Sequence, residues 1–181
     1  MVPDLDNALT HLCARGDDFD RNLTVLRRHR QAAVPILVKL LSHPDCDWRR
    51  AAAASLARLR STPSAALPAL LRMLRSHDTA GQIAAIAALD WIPNSNRSRA
   101  TSAVIEVLRR TPRRSHDFTR TRDNLARALA AHHLGMRGGA RGHSALSLAA
   151  RDEHDPVYSY IKAALRRATR RTATARRRTR A

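Results

Sequence analysis

Apolar residues recur at helical spacing along this chain, and the pattern then repeats. Residues 32–45, AAVPILVKLLSHPD, align with residues 65–78, AALPALLRMLRSHD. Within each copy the apolar positions follow i, i+3, i+4 and i+7, which is one face of an α-helix. They are Val34, Leu37, Val38 and Leu41 in the first copy, Leu67, Leu70, Leu71 and Leu74 in the second, and Thr101, Val104, Ile105 and Leu108 in a third. An internal repeat of this period indicates stacked helix pairs.

A second helix with a pattern of its own is predicted after each of these segments. Its first copy begins at Trp48 and is rich in alanine. The same positions recur in three later copies, so we expect four second helices to share one buried face. The predicted positions are Trp48, Ala51, Ala52, Ser55, Leu56 and Leu59; Gly81, Ala84, Ala85, Ala88, Leu89 and Ile92; Thr121, Asn124, Leu125, Ala128, Leu129 and His132; and Val157, Tyr160, Ile161, Ala164, Leu165 and Ala168.

Histidine and aspartate recur in the turns between the paired helices. An aspartate caps a helix because its carboxylate accepts from the free backbone N–H groups of the first turn. The pattern predicts helix pairs at about 32–60, 64–92, 98–136 and 141–168, and a degenerate capping pair within residues 1–30. The turns are His43-Pro44-Asp45, His77-Asp78, His116-Asp117 and His154-Asp155.

The segment DWRRAAAASLARL, residues 47–59, resembles HEAT repeats of the short bacterial type related to the phycobilisome-lyase group. In that family an apolar residue followed by arginine opens the second helix, as Trp48-Arg49 does here, with Arg50 beside it. The resemblance covers most of residues 32–168 and implies a right-handed α-solenoid of about four to five HEAT-like helix pairs. It also implies an Asp-to-Arg contact between neighbouring repeats. In later pairs the apolar-Arg slot instead reads Gly81-Gln82, Thr121-Arg122 and Val157-Tyr158.

Positive charge is concentrated in the second half of the chain. The formal net charge is +18, of which residues 97–151 contribute +9 and residues 166–181 contribute +8. The last of these segments has no apolar residue larger than alanine, so it has too little surface to bury on folding. We therefore expect a repeat domain over residues 31–168 and a disordered Arg-rich tail over residues 169–181.

Cysteine usage and hydropathy favour a cytoplasmic protein. Cys13 and Cys46 are the only cysteines, which is too few for a disulfide framework. Residues 1–12 are acidic where a signal peptide would be basic, and no apolar run reaches the ~18 residues of a membrane span.

Few residues have the spacing that catalysis or metal binding requires. Successive helices pack about 8–10 Å apart, whereas metal-bound nitrogens lie about 2 Å from the ion, so the turn histidines should not converge. Glu106 and Glu153 are the only glutamates. The segment GMRGGARG, residues 135–142, lacks the Gly-Lys-Ser/Thr ending of a phosphate loop, and we interpret it as a flexible basic loop between helices.

One set of residues is similar to a known catalytic site. HEAT-like alkylpurine DNA glycosylases hold DNA with Trp, Asp and Arg, and Trp48, Asp47 and Arg49 or Arg50 provide the same residue types. Apolar packing of Trp48 and helix capping by Asp47 explain the same residues without catalysis. We therefore expect no enzyme, no catalytic residue, no cofactor and no metal.

Two binding hypotheses remain. The first is a scaffold or adaptor that docks a partner protein on the face of the solenoid. The second is a sequence-nonspecific nucleic-acid-binding solenoid, in which arginines contact backbone phosphates of DNA or RNA. The candidate residues for partner or polyanion binding are Arg49, Arg50, Arg109, Arg110, Arg113, Arg114, Arg120, Arg122, Arg166, Arg167, Arg170, Arg171, Arg176, Arg177, Arg178 and Arg180.

Overall fold

A computed structural model describes residues 3–13, 17–110 and 118–178. Ten α-helices and two short 3-10 turns make up the regular structure of these residues, which confirms the all-α prediction. The helices pack as consecutive pairs. They are α1 (Pro3–Thr10), α2 (Asp17–Arg28), α3 (Arg30–Leu40), α4 (Cys46–Arg58), α5 (Leu67–Arg75), α6 (Thr79–Leu89), α7 (Arg97–Arg109), α8 (Phe118–Arg137), α9 (Gly139–Ala149) and α10 (Tyr158–Arg178).

The chain forms two compact units, Met1–Pro93 and Asn94–Ala181. The division falls between the second and third of the four predicted helix pairs, whereas the sequence pattern alone suggests one array over residues 31–168. The first unit contains α1 to α6 and the second contains α7 to α10.

The core of the first unit follows the predicted repeat. Helix α3 packs on α4 and α5 packs on α6, and the broadest contact joins the two second helices, α4 and α6. Leu56 of α4 and Leu89 of α6 occupy equivalent positions and are fully buried. The predicted shared face is therefore present in both helices.

The turns before α4 and α6 place aspartates at the helix starts. Asp45 is the N-cap of α4, and its carboxylate accepts a 2.8 Å hydrogen bond from the backbone N–H of Asp47. Asp78 occupies the N-cap position of α6. Pro68 lies in the first turn of α5, where a missing N–H is tolerated. Pro35 lies inside α3, because that helix begins at Arg30, earlier than predicted.

In the second unit α8 is the central helix, since it packs against α7, α9 and α10. Val104, Leu108, Leu146 and Ile161 form the core with Leu134 of α8, and all five are almost completely buried. Helices α7 and α10 thus keep most of the face that the sequence predicts.

The predicted register of α8 is wrong. Leu125, assigned to the core from the repeat, is 50% exposed, whereas Ala130, Ala131 and Leu134 are buried. In an alanine-rich helix several faces are apolar, and packing against three neighbouring helices decides which one is buried. Tyr160 of α10, another predicted core residue, is 60% exposed.

Residues 135–142 do not form the expected flexible loop. They comprise the last turn of α8, Gly138 and the first turn of α9. A Cβ on Gly135 would lie 2.7 Å from the carbonyl oxygen of Ala164, so this glycine allows α8 and α10 to approach closely. Gly139 has φ +56°, a left-handed conformation that glycine adopts without strain, and it starts α9 directly after α8. These glycines thus serve packing and a tight turn.

Helix α10 continues to Arg178, ten residues beyond the predicted end of the repeat domain. Residues 169–178 are therefore helical, which differs from the disordered tail expected over residues 169–181; residues 179–181 lie outside the described ranges. Arginine and alanine have high helix propensity, so a helix started on the packed face extends easily into this segment.

Candidate binding surfaces

An arginine and an aspartate join neighbouring repeats in the first unit. Nε of Arg50 donates to Oδ2 of Asp78 at 2.8 Å, and Nη2 donates to Oδ1 at 2.7 Å. Arg50 lies in α4 and Asp78 lies in the turn before α6, so the pair ties one second helix to the start of the next. The Asp-to-Arg contact expected from the resemblance is present here, although Arg50 rather than Arg49 makes it.

Other polar residues at the start of α4 are also engaged in local structure. Arg49 donates to the backbone carbonyl oxygens of His43, at 2.8 Å, and Pro44, at 2.5 Å. Asp47 forms a 2.6 Å ion pair with Arg50. The ring of Trp48 packs at a tilt on that of His43, with 5.5 Å between the ring centroids. The Trp-Asp-Arg set thus stabilises a turn and a repeat contact.

The second unit contains an ion pair of the same kind that sequence reasoning missed. Nη1 of Arg127 donates to Oδ1 of Asp155 at 2.9 Å, and Nη2 contacts Oδ2. Nε of Arg127 donates to the carbonyl oxygen of Leu108 at 3.1 Å. Arg127 therefore joins the end of α7 to the turn before α10. The available signal was the separation of 28 residues, which Arg50 and Asp78 share.

The two aspartates are held in their ionised form. Burial alone would raise the pKa of Asp78, but hydrogen bonding to Arg50 and the backbone amide of Gly81 outweighs burial and lowers it. Burial likewise opposes ionisation of Asp155, and Arg127 with the backbone amide of Val157 lowers its pKa. Hydrogen bonding to Asp78 in turn raises the pKa of Arg50. Both pairs are therefore ionised at neutral pH, where they join neighbouring repeats.

A groove of about 550 Å³ lies between α7 and α9, the first helices of two successive pairs. Residues at i, i+3, i+4 and i+7 of α7 form one wall, and residues spaced by four along α9 form the other. Its apolar surface comes from Ile105, Ala145 and Leu148, and its charged groups come from Glu106, Arg109 and Arg141. Leu148, at the end of this groove, is 52% exposed.

Helix α10 has a strongly basic surface. It contains eight basic residues and no acidic residue. Its apolar contact with α8 and α9 ends at Ala168, the last buried side chain described in this helix. Exposed arginines lie on both sides of Ala168 at helical spacing, and these are Arg166, Arg167, Arg170 and Arg171. The side chains form a continuous cationic surface on the outside of the helix.

Comparison with protein families gives a match that covers more than half of the chain. The HEAT-repeat model matches residues 7–90 and 34–116. The chain belongs to the HEAT-repeat family. HEAT repeats generally mediate protein binding and are usually non-catalytic scaffolds. No curated protein sequence matches the chain.

The HEAT-repeat helices place the predicted binding arginines in different environments. Arg49 and Arg50 are engaged in repeat structure, Arg109 lies in the groove, and Arg110 follows α7 as an exposed residue. Arg49 and Arg50 belong to the first unit, whereas Arg109 and Arg110 belong to the second. Arg166, Arg167, Arg170 and Arg171 are exposed on α10. The other predicted residues fall outside the described ranges (Arg113, Arg114 and Arg180) or lie in α8 and α10 at positions whose side chains are not described (Arg120, Arg122, Arg176, Arg177 and Arg178).

The residues that the structure describes contain neither a metal-binding cluster nor a membrane-spanning helix. No group of three or more His, Cys, Asp or Glu side chains is arranged to hold a metal ion there. None of the described HEAT-repeat helices combines the length and the hydropathy needed to cross a membrane.

Proposed function

We propose that this HEAT-repeat protein is a non-enzymatic adaptor that docks a partner protein in the groove between α7 and α9. The observation that carries the proposal is the groove between equivalent helices of two repeats, whose lining combines apolar residues, including the half-exposed Leu148, with charged groups. Repeat proteins generally bind their partners on the extended surfaces that stacked repeats create. The chain's cysteine usage and hydropathy support a cytoplasmic location. The Trp48-Arg49 pair in the first turn of α4 supports a relationship to the short bacterial, phycobilisome-lyase-type repeats.

The chemistry of the groove suggests what kind of segment binds. Leu148, Ile105 and Ala145 provide apolar surface for an apolar anchor of the partner. The groove has two positive charges, on Arg109 and Arg141, and one negative charge, on Glu106, so its net charge is positive. An acidic, amphipathic segment of another protein complements both features. Helix-in-groove binding of this kind places apolar residues on one face and charges at the rim.

The contacts made by Asp47, Trp48 and Arg50 favour the adaptor over the glycosylase alternative. Asp47 and Arg50 are paired with each other, and Arg50 is also bound to Asp78. Trp48 is packed on His43. A catalytic role would require these groups to leave contacts that hold two repeats together.

A photo-crosslinking experiment tests the adaptor. A photoreactive phenylalanine analogue replaces Leu148 in the groove or, as a control, Tyr160 on α10, which is similarly exposed. The full-length chain is irradiated in native lysate after nuclease digestion. We expect discrete protein adducts from position 148 that disappear when Arg109→Glu and Arg141→Glu are added. The same adducts from both positions, or none from position 148, would contradict the proposal.

A second candidate function rests on the basic surface of α10. Eight basic residues without one acidic residue in a 21-residue helix favour binding to the phosphates of DNA or RNA. The side chains described include no array of aromatic residues along α10 beyond Tyr158 and Tyr160, so base stacking would contribute little and binding would not depend on sequence. Fluorescence anisotropy with two unrelated duplexes of equal length tests this candidate, since it predicts equal affinities.

A further inference from the structure

Helix α8 exposes one face to solvent, and that face is mostly apolar. Most of residues 123–137, where the side chains of α8 are described, are buried. The exposed ones are Leu125, His132 and Met136, and Leu129 between them is half-buried. These four residues stand at i, i+4, i+7 and i+11, so they form one stripe, the α8 stripe, about 16 Å long. The solvent face of a helix usually carries polar residues, whereas this stripe is apolar at three of four positions.

The core of the second unit does not use the α8 stripe. The repeat pattern places Leu125 and Leu129 at apolar positions, yet α8 buries a different face, which includes Leu134. Leu125 is 50% exposed and Met136 is 37% exposed. A row of apolar side chains that packing leaves exposed indicates an interaction surface.

Helix α10 borders the α8 stripe with positive charge. Nη1 of Arg167 lies 3.0 Å from Nδ1 of His132, which places this guanidinium group beside the stripe. Arg171, one turn further along α10, lines a small cavity together with Met136 at the end of the stripe. Tyr160, two turns before Arg167, lies on the same side of α10 and is 60% exposed. Because α10 contains no acidic residue, this border is positive.

The combination of an apolar stripe and a positive border determines which partner fits. A second copy of the chain would bring the arginines of two α10 helices together, since a two-fold contact uses the same surface on both copies. A nucleic-acid backbone supplies phosphates but no apolar side chains for the stripe. An acidic amphipathic helix supplies apolar anchors on one face and carboxylates at its edge.

We propose that the α8 stripe and the adjoining side of α10 form a second docking surface, which binds an acidic amphipathic helix of another protein. This surface shares no residue with the α7–α9 groove and does not depend on it. An adaptor with both surfaces can join two partners.

Methionine methyl NMR observes this surface directly, because one of the chain's three methionines lies in the α8 stripe. In full-length protein with ¹³C-methyl methionine, Met136 reports on the stripe, and Met73, 5% exposed in the first unit, is the internal control. The probe is a synthetic peptide of leucine, alanine and glutamate with leucines at i, i+4, i+7 and i+11. We expect the peptide to shift the Met136 signal saturably and to leave the Met73 signal in place. Absence of a Met136 shift would overturn the proposal.

Two control peptides separate apolar contact from charge. The first has the same composition in scrambled order and therefore lacks an apolar face, and the second has lysine in place of every glutamate. Neither should shift the Met136 signal, and an equal shift with either peptide would overturn the proposal. A Met136 signal that moves with protein concentration alone would assign the stripe to self-association and would overturn it as well.

Two leucines of nearly equal exposure locate the binding. Leu125→Ser should weaken the peptide about tenfold through loss of one apolar anchor. Leu148→Ser, at 52% exposure in the α7–α9 groove, should leave the affinity measured at Met136 unchanged. Weakening by Leu148→Ser alone would place the peptide in the groove, which favours the adaptor groove and overturns the second surface. Photo-crosslinked adducts from position 160 should likewise differ from those of position 148.

Two pairs of arginines on α10 test the positive border at equal net charge. Arg167→Gln with Arg171→Gln should weaken the peptide at low salt, because both residues border the α8 stripe. Arg166→Gln with Arg170→Gln removes the same charge from another side of α10 and should have little effect. All four side chains are exposed, so the fold should persist. Equal weakening by both pairs would show that binding follows net charge and would overturn the proposed surface.

Discussion

Arg127 binds Asp155 across 28 residues of sequence, the same separation at which Arg50 binds Asp78. In each case the arginine lies in the second helix of one pair and the aspartate lies in the turn before the second helix of the next. The two units of the chain therefore use the same contact between consecutive repeats, although their sequences around the arginine differ.

The two contacts should differ in strength because they differ in burial. Arg127→Met leaves Asp155, 10% exposed, without its partner and should cost about 3–5 kcal/mol in free energy of unfolding. Arg50→Met should cost less, about 1–2 kcal/mol, since the Arg50 side chain is 35% exposed. Arg58→Met, which breaks an exposed pair with Asp20, serves as the control and should have little effect. Urea denaturation measures all three; equal losses would show that burial does not determine the strength of these contacts.

The same aspartates should make the fold sensitive to acid. The pKa values of Asp78 and Asp155 are lowered in the folded chain, so the stability they contribute is present above the unfolded value of about 3.9. It is lost as the pH falls through the lowered folded values. We expect melting temperatures to drop below about pH 4, and Asp155→Asn to be less stable at pH 7 but to show a flatter acid dependence. An unchanged acid profile in Asp155→Asn would contradict this assignment.

The repeat core should tolerate no charge. Leu56→Asp and Leu89→Asp each place a carboxylate at a fully buried position and should unfold the first unit at least locally. Leu125→Asp in α8 should be nearly neutral, because that leucine is 50% exposed. Thermal unfolding followed by circular dichroism distinguishes these outcomes. A large loss of stability in Leu125→Asp would instead support the register of α8 that the sequence pattern predicts.

The close approach of α8 and α10 depends on Gly135. A Cβ there meets backbone atoms of Ala164 at 2.7–3.1 Å, so Gly135→Ala should cost about 1–3 kcal/mol through forced separation of the helices. At Gly139 an added Cβ meets open space, and the cost of Gly139→Ala should be only the left-handed backbone strain, about 1 kcal/mol. Chemical denaturation of the two variants gives the comparison. A smaller loss at Gly135 than at Gly139 would argue against the tight contact.

Salt dependence should report how many arginines of α10 contact a nucleic acid. Each neutralised phosphate of duplex DNA contributes about −0.9 to the slope of log affinity against log salt concentration. Replacing Arg166, Arg167, Arg170 and Arg171 with glutamine should therefore flatten the slope by up to about 3.6. The matched control replaces four exposed arginines elsewhere, Arg27, Arg28, Arg75 and Arg151, with glutamine. If both quadruple variants change the slope equally, binding follows net charge and not α10.

The helix pairs and the core of the first unit could be predicted because large apolar residues mark their buried faces. Leu56 and Leu89 are unambiguous in this respect. In α8 the same method failed, because alanines are apolar on every face and the position of Leu125 followed from an assumed alignment. Tertiary contacts with α7, α9 and α10, which no local pattern encodes, select Ala130, Ala131 and Leu134 instead.

The site residues were predicted less well, because the sequence does not distinguish an arginine on a solvated surface from an arginine in a buried ion pair. Arg127 is 5% exposed and Arg49 is bound to two carbonyl groups, yet both resemble ordinary surface arginines in sequence. Arg97, Arg137 and Arg171 line one cavity of the second unit, although they lie between 34 and 74 positions apart in the chain. Only the packing of α7, α8 and α10 brings them together.

The extension of α10 past Ala168 couples helix formation to the ionic environment. Arg166 and Arg170, and likewise Arg167 and Arg171, stand one turn apart and repel each other, which works against the helix. None of the described side chains beyond Ala168 is buried. Backbone hydrogen bonding and the intrinsic helix propensity of the residues therefore have to offset that repulsion. Counterions or a bound polyanion screen the repulsion, so the helical content of residues 169–178 should increase with the amount of negative charge close to this helix.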